Sequence, residues 1–121
     1  MTKFGYSASE WCSAKDEARA AMIERARAGA TITYSDLTIA ISSIAFKPDD
    51  FAFASLLGEI STEEDEAGRG MLTALVIRKG NEKLPGAGFY DLAERLGRDT
   101  ADRLQCWVTE INRVFEFWST R

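Results

Sequence analysis

Apolar positions along this chain follow helical spacing over long stretches, and the spacing breaks at glycines and prolines. Residues 1–8 show no such pattern and are expected to form a loosely held leader. A first helix is expected from near Ser9 or Ser13 to about Ala28, with Ser13, Asp16 and Glu17 as a capping arrangement. Ala14, Ala18, Ala21, Met22 and Ala26 fall near one face of it. Arg25 and Arg27 sit near its C-terminal end, where the helix dipole favours cations, and Gly29 is the expected stop.

Thr31-Ile32-Thr33 is β-branched and short, which suits a small edge strand. Thr33 followed by Asp36 is a helix-start signature, and the helix it opens would turn Leu37, Ile41 and Ile44 inward. Phe46 to Asp50 is a break around Pro48. Asp49 or Asp50 would cap a helix running to about Ile60, with Phe53, Leu56, Leu57 and Ile60 as its stripe and Phe51 as an entry staple. Thr62 to Glu66 reads as an acidic surface segment, and Gly68 and Gly70 bracket a turn. Met71 to Ile77 is apolar and partly β-branched, as a buried strand would be. Residues 78–83 form a turn with exposed charge, where the Gly80-Asn81 pair suits positive φ. A Gly/Pro corner at 84–88 leads to a short helix from Phe89 to Leu96, closed by Gly97.

The last helix, about 100–118, has the clearest rhythm. Asp99 or Thr100 would cap it, and Leu104, Trp107, Val108, Ile111, Val114, Phe115 and Trp118 follow spacings of three and four. Such a stripe is a core face or a dimer seam. The elements together describe one α+β domain over 1–121, mostly helical, around a short β-hairpin or small sheet and closed by a long C-terminal helix.

The size suits a single domain with a real core: 121 residues, 45% hydrophobic and 28% charged. The net charge of -4 gives no general attraction to phosphate backbones or anionic lipid. Residues 31–66 carry most of the negative charge, and residues 67–97 are mildly basic. No apolar run has the form of a signal peptide or a membrane span, so a cytoplasmic location without membrane contact is expected. Cys12 and Cys106 each adjoin a tryptophan and are expected to be buried structural thiols.

The chain has no histidine, which removes Ser-His-Asp and Cys-His catalysis and the usual neutral-pH base. Two isolated cysteines do not make a structural zinc site, and no P-loop or dinucleotide fingerprint is present. The Glu63-Glu64-Asp65-Glu66 run lacks the alternation and central glycine of a calcium loop and reads as a solvated acidic face. No catalytic residue, metal or cofactor is expected.

Thr33-Tyr34-Ser35-Asp36-Leu37 resembles the Thr-Tyr-Gly-Asp-Ile type opening of the winged-helix part of alkylguanine-DNA alkyltransferases and their alkyltransferase-like relatives. Phe53 to Glu59 then stands where that family places a DNA-recognition helix, Leu72 to Ile77 where it places the strand before the wing, and Leu84 to Phe89 on its glycine-rich stretch. The resemblance implies a winged-helix-like core over about 31–97. It does not extend to the reaction. Leu72-Thr73-Ala74-Leu75 stands on the family's reactive Pro-Cys-His-Arg, so Thr73 replaces the cysteine, Leu75 replaces the arginine, and alkyl transfer to a thiolate is excluded. The Met71–Gly97 pattern is also similar to that of small bacterial proteins of unassigned activity.

Two functions follow as expectations. The first is a non-catalytic regulatory or adaptor module acting through protein–protein contacts. Its surfaces would be the acidic Glu63, Glu64 and Glu66, the basic Arg78, Lys79 and Lys83, and a homodimer seam on the last helix anchored by Phe117 and Trp118. The alternative is winged-helix nucleic-acid binding through the basic turn. Charge disfavours it, because Asp49 to Glu66 carries seven acidic residues and no basic one.

Overall fold

The structure is a computed structural model that describes residues 2–80 and 82–121. It is α+β and mostly helical, with two small two-stranded sheets. Asn81, half of the expected Gly-Asn turn, lies outside the described residues.

The N-terminal segment is a hairpin and not a loose leader. β1 (Thr2–Lys3) pairs antiparallel with β2 (Tyr6–Ser7). Phe4 and Gly5 make the turn, both at positive φ, as a two-residue hairpin loop requires. The hairpin also corrects the first helix start. α1 (Ala8–Arg27) is capped by Ser7, whose hydroxyl accepts from the Glu10 N–H while the Glu10 carboxylate accepts from the Ser7 N–H. Ser7 to Glu10 thus forms the reciprocal capping box, and Ser13 lies inside the helix. Trp11, Ala14, Ala18, Met22 and Ala26 face the core, and Ala21 sits beside it. Gly29 follows the helix at positive φ.

β3 (Ile32–Thr33) runs parallel to β4 (Val76–Ile77), so this ladder joins distant parts of the chain. Between them lie α2 (Tyr34–Ala40), capped by the Thr33 hydroxyl on the Asp36 N–H, and α3 (Phe51–Glu66). Ile41 and Ile44 are buried, but in the loop after α2. That loop is tied down by Glu17, which accepts from the backbone N–H and hydroxyl of both Ser42 and Ser43. Asp50 occupies the N-cap of α3, yet its carboxylate accepts from the Lys47 N–H. Phe51 is not tucked in as a staple: it is 78% exposed, edge-on to the Phe4 ring.

α3 runs a full turn and a half beyond Ile60, so Thr62 to Glu66 is helix. The apolar run at 71–77 is buried throughout, but only β4 is strand; Leu72–Leu75 is a 3-10 turn. The 3-10 turn is held at both ends by the last helix, α5 (Arg103–Trp118), which follows α4 (Ala87–Arg95). The Met71 N–H donates to the Glu110 carboxylate at 2.8 Å, and the Trp107 indole donates to the Ala74 carbonyl at 2.8 Å. Asp102, not Asp99 or Thr100, caps α5. Its apolar stripe is only partly covered: Ile111 and Val114 are buried while Leu104 is exposed. The two thiols differ from expectation as well, Cys106 being buried and Cys12 exposed.

Candidate functional site

The expected acidic face is mostly ion-paired, and Glu64 within it is buried. Glu63 pairs with Lys15 at 2.9 Å and with Arg19. Glu64 is 1% exposed and receives both the Nε and an Nη of Arg69. Asp65 pairs with Arg98, which also binds Glu110. An acidic run looks solvated in a sequence because its cations come from elsewhere, here from α1 and from the segments flanking the 3-10 turn and α4. Glu66 alone of the three named glutamates is exposed without an ion pair among the described residues.

Arg78, Lys79 and Lys83 are exposed, as expected. The Arg78 N–H donates to the Leu84 carbonyl at 2.9 Å and closes the turn, and the Arg78 guanidinium lies 3.6 Å from Glu82. Arg103 stacks over Tyr90, 4.7 Å from its ring centre. Nearby, the Gly86 N–H donates to the Tyr34 hydroxyl at 2.9 Å, and no side chain caps α4. Phe117 and Trp118 are half-buried and pack edge to face. Arg121 covers Phe117 and Arg27 lies over Trp118. Of the three expected surfaces, the acidic one lines a cavity beside α3, through Glu63 and Glu66.

That cavity is an open groove of about 710 Å³ between α3 and α4. Phe51, Ala54, Gly58, Thr62 and Glu66 line it from α3, at helical spacing. Phe89, Asp91, Leu92 and Arg95 line it from α4, and Thr73 and Val76 from the segment beneath. Thr73 is fixed there by Ser61: the two hydroxyls are 2.5 Å apart, and the Thr73 N–H donates to Ser61 Oγ at 3.0 Å. Arg98 on Asp65 ties the C-terminal ends of the two helices together.

Carboxylates dominate the groove: Glu59, Glu63, Glu66 and Asp91 against the single cation Arg95. Glu59 is held from behind by Lys3, Lys15 and the Trp11 indole. Partial burial would raise its pKa, but hydrogen bonds from Lys15, Lys3 and Trp11 outweigh that and lower it to about 2. Burial pushes the Tyr34 hydroxyl up. Among the described residues, no three His, Cys, Asp or Glu side chains converge as metal ligands do, and no helix is long and apolar enough to cross a membrane.

The sequence held one overlooked signal for this groove. Ala54, Gly58 and Thr62 are small residues at helical spacing on the side of α3 away from its apolar stripe. No protein-family model, curated protein or solved structure matches the chain.

Proposed function

We propose that this domain is a non-catalytic binding module, regulatory or adaptor in role, and that a partner protein docks in the groove between α3 and α4. The observation that carries this reading is Gly58. A glycine inside a helix costs about 1 kcal/mol relative to alanine. Gly58 sits within α3, and a Cβ built on it meets nothing within 4 Å. Among the described residues no contact requires the glycine, and its open face is the groove wall. Close approach of another backbone is a standard reason for keeping a glycine. The exposed Phe51 on the same wall is the kind of aromatic that anchors an interface.

The test is site-specific photo-crosslinking in cells that make the protein, from position 54 in the groove and from position 116 on the exposed side of α5. A discrete adduct from position 54, absent from position 116 and lost in Gly58→Leu, is expected. The same adducts from both positions would sink the reading.

Nucleic-acid binding stands as a second reading on a different surface. It is supported by the exposed Arg78, Lys79 and Lys83 beside the uncapped start of α4. Binding of a short duplex at low salt, weakened by Lys79→Glu, would favour it. No binding at low salt removes it, since electrostatic attachment is strongest there.

A further inference from the structure

We infer that the groove's occupant is an amphipathic helix about four turns long, with an apolar face toward Phe51 and Gly58 and cationic side chains along its edge. The inference rests on the groove being the docking site and adds the chemistry of the partner. Length comes first. Phe51 and Glu66 stand at opposite ends of α3. Their positions are about 22 Å apart along the axis, the rise of roughly 15 helical residues. A helix of that length matches the wall.

Shape comes second. Ala54, Gly58 and Thr62 leave a shallow channel along α3, and Gly88 on α4 also faces open space. The Thr62 hydroxyl is turned inward onto the Gly58 carbonyl at 2.8 Å, so it presents little polarity to a visitor. Leu57 and Leu92 supply apolar floor. An apolar helix face laid into a groove is a recurring recognition mode, read as anchors at helical spacing.

Charge comes third and sets the occupant's polarity. Glu59 and Glu63 already have cations from Lys3, Lys15 and Arg19. Glu66 and Asp91 are exposed and have no ion pair among the described residues. Arg95, the opposing cation, is one turn from Asp91 on α4, also exposed and without an ion pair. Two open carboxylates against one guanidinium leave the unpaired charge of the groove net negative among the described residues. A lysine or arginine on the occupant finds an open partner in Glu66 or in Asp91, while an acidic helix of the same shape meets them as a like charge.

Two 15-residue probe peptides test this, one Leu/Lys and one Leu/Glu, with identical apolar faces, titrated into the full chain by calorimetry. The Leu/Lys peptide is expected to bind, with affinity reduced at least about tenfold by Gly58→Leu, by Phe51→Ser and by Asp91→Lys. Glu116→Lys makes the same charge change on α5 outside the groove and is expected to stay within about twofold. Circular dichroism and urea unfolding establish that each variant is folded, and two groove variants besides Gly58→Leu keep the test intact if that one is not. If the Leu/Glu peptide binds as well and is also lost in the groove variants, the cationic partner is overturned and the docking groove survives. If Glu116→Lys weakens Leu/Lys binding as much as Asp91→Lys, binding follows net charge alone and the inference fails. If neither peptide binds, both the inference and the groove reading fall.

Discussion

Gly58 and Gly70 are both glycines flanking apolar segments, yet the same substitution acts on them in opposite directions. Gly58 has helical backbone and open space, so Gly58→Ala is expected to stabilise the fold by about 0.5–1 kcal/mol. Gly70 has φ +85, and a Cβ there would lie 3.2 Å from Glu110 Oε2 and 3.3 Å from Val114 Cγ2. Left-handed backbone alone costs a non-glycine residue roughly 1–2 kcal/mol, so Gly70→Ala is expected to destabilise by at least that. Urea unfolding midpoints of the two variants check both signs. Glu110 is the other decisive residue. Its buried carboxylate binds Arg98, Arg113 and the Met71 N–H at once. These bonds outweigh the burial that would raise its pKa, and the carboxyl is lowered. Glu110→Ala leaves the buried Met71 amide without its acceptor and Arg98 with Asp65 as its remaining carboxylate, and is expected to cost about 1–3 kcal/mol, read from the same unfolding curves. Glu110→Gln keeps an acceptor for the amide and is expected to cost less.

Among elements, the seam between α1 and α3 has a pH signature. Lys15 bridges Glu59 at 2.8 Å and Glu63 at 2.9 Å. Glu59 is lowered to about 2 in the folded chain, and Glu63 is lowered by Lys15 and Arg19 against the opposing effect of burial. A carboxyl whose pKa is lower folded than unfolded stabilises fully above the ordinary carboxylate range and loses that contribution as pH falls. Thermal melts from pH 7 to pH 2 should therefore show Glu59→Gln less stable than the native chain at pH 7. The gap should narrow from about pH 5 downward and close near pH 2; parallel curves would contradict the pairing. The helices themselves were legible before the seam was. Phe53, Leu56, Leu57 and Ile60, or Ala14, Ala18, Met22 and Ala26, announce a buried face by spacing alone. Met71 to Ile77 does not, because a fully buried run has no polar positions to reveal its period, and 3-10 and extended backbone then look alike. Glu64 was illegible for another reason: Arg19 arrives by tertiary packing and Arg69 only because the chain folds back after α3, and an unpaired surface glutamate has the same sequence signature.

At the scale of the whole molecule, distant segments complete one another, and this is what local spacing could not disclose. The groove exists because α3 and α4 stand apart while Arg98 and Asp65 hold their ends. The basic turn, by contrast, was visible because exposed charge beside a glycine is a local property. The N-terminal hairpin is part of the same closure. Phe4 stacks on Trp11 at 5.8 Å, Tyr6 meets Phe46 at 5.9 Å, and Ser7 caps α1. Removing residues 1–5 is expected to lower the melting temperature and red-shift tryptophan emission as Trp11 gains water; unchanged emission would mean the hairpin is dispensable. The hold of α5 on the 3-10 turn has a consequence for biosynthesis. Met71 and Ala74 emerge from the ribosome well before Glu110 and Trp107, and those later residues provide the partners of the Met71 N–H and the Ala74 carbonyl. A nascent chain halted anywhere short of α5 therefore packs its central segment on α1 and α3 with one side still open, and the native core closes only after the last helix has left the exit tunnel.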